Sequence, residues 1–279
     1  MSALSHARHV LAENPVTALS FCLFALLALA ALAGPALVPY DPLASSDRAL
    51  APPSALHWFG TDNLGRDVFS RVVVATRLDL GMAFAAVALV FVTGTLAGVT
   101  AGFLGGWTDR VIGRLTDTIM AFPLFVLAMG LVAAAGNTVA NVVYATAIIN
   151  FPIYARVART EANIRRDAGF VEAARLAGAS TATVMLGEVL PNVLPIMMVQ
   201  VSLTMGYAIL NTAGLSFIGL GIRPPTAEWG IMVAEGAGYI VSGEWWIALF
   251  PGLALMLAVF TFNLMGDGLR DIVDPRRRT

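Results

Sequence analysis

Glu172 and Arg175 stand three residues apart in GFVEAARLAGAS (169–180), a short Ala-rich segment between two long uncharged stretches. At that spacing a carboxylate and a guanidinium share one helical face, while Phe170, Ala173, Ala174 and Ala177 share another. The chemistry open to this set is recognition. The carboxylate can take charge-assisted hydrogen bonds, and the small residues allow close backbone approach, as for a helix set in a protein groove. Asp167 is the expected N-cap and Gly178 the expected stop. An ordinary loop helix is the alternative that the pattern alone leaves open.

Other chemistry is missing from the chain. All 17 basic residues are Arg, so the lysine of a phosphate-binding GxxxxGK[ST] loop is absent, and any ATP that drives the protein must sit on another polypeptide. Lysine Schiff-base chemistry is excluded in the same way. His6, His9 and His57 are the only histidines, and none stands at ligand spacing from a Cys or another His within the apolar runs. Neither GxSxG nor HExxH occurs. The net charge of −1 gives no basic field for nucleic acid. The single cysteine, Cys22, permits no intrachain disulfide. No bound cofactor or metal is therefore expected in this chain.

The elements that would position the segment are membrane spans. Of the 279 residues, 58% are hydrophobic and 13% charged, against about 25% charged in soluble domains. A helix crosses the hydrocarbon with about 20 apolar residues, and six such spans are expected. They are Thr17–Val38, Leu80–Gly106, two within the uncharged stretch Thr118–Ala155 turning at Gly136-Asn137, one over roughly 195–217 delayed by Pro191, Asn192 and Pro195, and Trp245–Gly266. With both termini inside, the inner segments carry twelve arginines and the outer ones five, which favours cytoplasmic termini. The first run is longer than the apolar region of a signal peptide and is read as a retained anchor.

Several expectations concern the connecting segments. Pro39, Pro42, Pro52 and Pro53 suggest an extended linker over 39–57. Leu64, Val68, Phe69, Val72 and Val73 recur at helical spacing with Arg66, Asp67 and Arg71 opposite, which predicts a helix lying in the outer interface over 58–79. Trp229, Trp245 and Trp246 suit a headgroup-level belt, and Glu228, Glu235 and Glu244 read as solvated loop charges. Gly214, Ser216, Gly219 and Gly221 would allow close helix approach. Asp117 is expected to pair with Arg114 at i, i+3. Asn137, Asn141, Asn150 and Asn211 are too weak a set to couple an ion gradient at the midplane, so a secondary carrier is the less favoured class.

EAARLAGASTATVMLGEVLP (172–191) resembles the EAA loop of binding-protein-dependent ABC importer permeases, with Glu172, Ala173, Ala174, Gly178, Leu190 and Pro191 on the motif positions. Glu188 stands where the general motif favours Ile, with Val189 beside it as the residue for that role. HWFGTDNLGRDVFSR, AFPLFVLA, GLSFIGLGIRPPTAEWG and FNLMGDGLRDIVDPR are similar to the C-type subunit of the dipeptide/oligopeptide/nickel branch. The resemblance implies an all-α integral membrane protein of the type I importer fold, with a cytoplasmic EAA coupling helix. Residues 1–79 would hold the anchor and outer linker, 80–267 the transmembrane core and 268–279 a tail. It also implies a second homologous permease, two cytoplasmic subunits that bind ATP and Mg, an extracytoplasmic solute-binding protein, and a place in the bacterial inner membrane. Peptides are the commonest cargo of the branch; nickel, glutathione and opine-like solutes are the alternatives.

Overall fold

Apolar runs in a chain that must satisfy every backbone amide in lipid have helix as their open-ended solution, and the regular elements of the computed structural model are helices, joined by a long loop over 38–67 that holds one isolated β-bridge, Thr61 to Asp67. It describes residues 15–273. The helices are α1 (Pro15–Leu37), α2 (Val68–Leu104), α3 (Gly106–Met120), α4 (Leu124–Ala135), α5 (Val139–Arg165), α6 (Gly169–Leu176), α7 (Thr181–Val184), α8 (Leu190–Phe217), α9 (Trp229–Ala237) and α10 (Trp246–Val273), with a π-helical turn, Met185–Val189, joining α7 to α8. Expectations placed on His6, His9, Arg8, Arg276, Arg277 and Arg278 fall outside the described residues.

Among the described residues four helical runs are long and apolar enough to cross a membrane: α1, α2, Thr181–Phe217 and Trp246–Gly268. The pair α3 and α4, bent by 89°, makes a fifth candidate. The bend falls at Ala121–Pro123, where Pro123 sits just before α4 and has no N–H to continue the preceding helix. Gly136, at φ +97°, makes the expected turn into α5, whose first residue follows the Thr138 cap.

Three expectations are corrected. Residues 58–79 do not form a separate interfacial helix. Asp67 caps Ser70 N–H at 2.8 Å, and one 37-residue helix then runs unbroken from Val68 to Leu104, about 55 Å at the usual rise. Pro191 and Pro195 do not delay the fifth span either. The π turn hands Leu190 N–H to the Met185 carbonyl, Pro191 stands in the first turn of α8, where a missing N–H is tolerated, and helix runs on through Pro195 to 217. Two of the three belt tryptophans are core residues: Trp229 is fully buried and donates to Val72 O at 3.0 Å, and Trp246 donates to Thr61 O at 3.1 Å.

The α2–α5 contact is backbone to backbone. A Cβ on Gly94 would lie 2.6 Å from Tyr154 Cβ, and a Cβ on Gly98 or Gly102 would collide with Ala155 O or Arg159 O. Glycine at every fourth position of α2 clears one stripe, and α5 lies in it. The bundle has two ends. The α9 end holds the loop 39–67, the start of α2 and α9; the α6 end holds the close of α2, the start of α3 and α6.

Candidate functional site

Each side of α6 has its own role. Val171 is fully buried and packs with Val184 and Val189 of the next helical run and with Ala158 and Ala162 of α5; Ala174 and Leu190 pack against the same cluster. Arg175 places its guanidinium 5.4 Å from the centre of the Phe103 ring, at the end of α2, a cation–π contact that a sequence scan has no means of pairing. Val171 and Arg175 thus fasten α6 to α2, α5 and α7.

The ends of α6 follow local chemistry. The N-cap is Ala168, which makes no side-chain cap bond, so the expectation for Asp167 is corrected. Ala168 O accepts from Val171 and Glu172 N–H, and Glu172 in the first turn with Arg175 in the last complements the helix dipole. At the other end Gly178 has φ +84°. Gly178 N–H donates to Arg175 O at 3.0 Å and Ala179 N–H to Ala174 O at 3.1 Å, the paired bonds of a Schellman stop. Ser180 then caps α7 through Thr183 N–H at 3.2 Å. No free linker separates α6 from the span that follows.

The outward face carries Glu172, Ala173, Leu176 and Ala177, all exposed, with Phe170 at its edge. Leu176 is 84% exposed and was not singled out by the sequence reading. Among the described residues the Glu172 carboxylate has no hydrogen-bond or ion-pair partner. Of the six motif residues, Glu172, Ala173, Ala174 and Gly178 are therefore brought together on α6 and its stop. Leu190 supports them from beneath through the valine cluster, and Pro191 lies exposed beyond the π turn. Val189 is fully buried while Glu188 is exposed, so the buried position of the second half belongs to Val189.

At the α9 end the sequence reading missed a buried polar network. Arg66 reaches Asp62 at 2.6 Å and Glu235 at 3.4 Å, and Arg71 lies 3.6 Å from Asp62 and 3.8 Å from Glu235. His57 Nδ1 lies 2.8 Å from Asp67. Glu228 is not a solvated charge: it is fully buried and caps α9, accepting from Gly230 and Ile231 N–H at 3.0 and 2.8 Å. Asp79 of α2 accepts from Trp229 N–H at 3.2 Å and meets the Glu228 carboxyl. Burial pushes the Glu228 carboxyl above its ordinary value, while bonds from Asp79, Ile231, Gly230 and Ser216 pull the other way. Near the α6 end Asp117 pairs with Arg156 at 2.7 Å, not with Arg114. Among the described residues no three His, Cys, Asp or Glu side chains converge as a metal ion needs.

A family model described as the inner membrane component of binding-protein-dependent transport systems matches residues 94–279. Another, described as the N-terminal TM domain of oligopeptide transport permease C, matches residues 2–53. A probable D,D-dipeptide transport system permease protein of Escherichia coli (strain K12) is 43% identical over 96% of this chain and 90% of its own length. The nickel transport system permease protein of the same strain is 41% identical over 92% of this chain and 93% of its own. A glutathione transport system permease protein of Pectobacterium atrosepticum is 40% identical over 87% and 81%. An all-helical bundle with apolar runs long enough to span a membrane and likeness along nearly the whole chain agree: the chain belongs to the family of binding-protein-dependent ABC importer permeases, in its dipeptide, oligopeptide and nickel branch.

Proposed function

We propose that this chain forms one half of the translocation pathway of an ATP-driven importer, pairs with a second homologous permease, and couples through α6 to one of two cytoplasmic ATP-binding subunits. The observation that carries this reading is the construction of α6. Its inner side is locked to three other elements, and its outward side offers one unpaired carboxylate among small residues and a nearly bare leucine. A surface built in that way transmits force without deforming. Glu172 fixes the helix in the partner's groove through charge-assisted hydrogen bonds, and Ala173 and Ala177 let the two backbones approach. Closure of the ATPase dimer then moves α2, α5 and α8 as rigid bodies and turns the cavity from inward- to outward-facing.

In this reading the α6 end and both termini are cytoplasmic, and α5 with the bent α3–α4 pair completes six spans. The loop 39–67 and α9 face the solute-binding protein, and residues 80–267 act as the transmembrane core between the anchor and the tail. ATP and Mg belong to the partner subunits. The cargo is a di- or oligopeptide, with nickel, glutathione or an opine-like solute as the alternatives. Reconstitution tests the reading. Liposomes holding this chain with the second permease and both ATPases take up solute when its binding protein and ATP are supplied, and liposomes holding this chain alone take up none. Solute uptake by the single chain would contradict it.

A further inference from the structure

Two adjoining clefts lie along the α3–α5 seam. The first, about 340 Å3, is walled by Leu89 and Thr93 of α2, Leu115 and Ile119 of α3, and Ala147 and Phe151 of α5. Its one hydroxyl is spent, because Thr93 donates to Leu89 O at 2.8 Å. The groove therefore offers nothing to a polar ligand. The second, about 580 Å3, lies nearer the α6 end and is lined by Arg110, Arg114, Arg156 and Arg159 with Asp109 and Asp117. Arg156 pairs with Asp117 and Arg159 with Asp109. Arg110 has only a 3.4 Å contact to Gly106 O, and Arg114 has no side-chain partner among the described residues. Two positive charges are left over.

Both flanking helices change character at the same depth. On α5 the step from Phe151 to Arg156 is five residues, and on α3 the step from Ile119 to Arg114 is also five, about 7.5 Å at the helical rise. Further along α3, Trp107, Val111 and Leu115 form an exposed apolar stripe at i, i+4, i+8 beside Arg110 and Arg114. That is the pattern of a helix seated at a membrane interface. A free anion needs only the cationic cleft, and a neutral apolar molecule only the groove. A ligand that uses both at this spacing is an amphiphile with an anionic head.

We propose that the α3–α5 seam is a binding site for one anionic phospholipid, its phosphate held by Arg110 and Arg114 and one acyl chain lying in the groove between α2, α3 and α5. The proposal rests on the chain's place in the membrane and not on its cargo or its coupling to ATPases.

Native mass spectrometry of the purified full chain, exchanged into detergent with equal phosphatidylglycerol and phosphatidylcholine, is the test. The expected result is one retained phosphatidylglycerol in preference to phosphatidylcholine. With about fivefold in affinity for each surface arginine, the double variant R110Q/R114Q should lose roughly thirtyfold of that preference. Thr93→Trp, which fills the groove from an exposed position, should reduce retention of both lipids. Equal retention of the two lipids by the parent chain, an unchanged preference in R110Q/R114Q, or displacement of the lipid by a transported peptide would each overturn the proposal. The last outcome would make the seam part of the solute route.

Discussion

A Cβ added at Gly178 meets nothing within 4 Å among the described residues. Any harm it does comes from the backbone or from another protein, and the two can be separated. At φ +84° an alanine costs roughly 1 kcal/mol, and asparagine less. Gly178→Asn should therefore keep solute-stimulated ATP hydrolysis near the parent level, Gly178→Ala should lower it modestly, and Gly178→Leu should abolish it. Equal loss in the Ala and Leu variants would mean that strain alone is at work and no partner surface presses on this end. Glu228 makes a second prediction at this scale. Its carboxyl is raised by burial, so the packed state binds more protons than the unfolded chain. Stability from this group is full below the ordinary glutamate value of about 4.3 and falls as pH rises through the raised value. The groups facing it are Asp79 from α2, Ser216 from α8 and the amides of Gly230 and Ile231 from α9. The detergent-solubilised chain should therefore lose thermal stability as pH rises above about 4.3, and Glu228→Gln should flatten that slope. An equally steep slope in the variant would locate the titration elsewhere.

At the scale of elements, the helical stop at Gly178 and the apolar extents of α1 and α10 were legible in the sequence, because glycine punctuation and long uncharged runs are local signals. What was not legible depends on partners far along the chain. Arg66 and Glu235 are 169 residues apart, and a scan that counts each charge as exposed places both in solvent. The same blindness turned the buried start of α2 into a surface helix. The prolines misled for a different reason: Pro191 falls in the first turn of α8, where a missing N–H is tolerated, and the helix runs on through Pro195. One signal was present and went unread. Gly94, Gly98 and Gly102 recur every four residues, the spacing that brings two helix backbones together. Gly98→Leu would drive its Cβ into Ala155 O on the α5 backbone, so the helices must part and the chain should lose about 3 kcal/mol of stability. Size-exclusion profiles and thermal scans in detergent check this; a parent-like melting temperature would contradict the backbone-to-backbone contact.

For the whole molecule, the account requires that the α6 end face the ATPases in the cytoplasm and that the α9 end face the binding protein. With Cys22 replaced, a cysteine at Leu64, which is exposed at the α9 end, should be labelled from outside by a membrane-impermeant thiol reagent. A cysteine at Ile164, exposed at the α6 end, should be protected until the membrane is opened. The reverse pattern would invert the topology. The central claim, that the outward face of α6 is the joint to an ATPase, has one most direct measurement. A photo-crosslinking amino acid placed at Leu176, the most exposed large side chain of that face, is irradiated in membranes containing the whole importer. The account predicts a covalent adduct between this chain and an ATP-binding subunit, and none from the same probe at Leu64. An adduct-free Leu176 in an importer that still transports would contradict it.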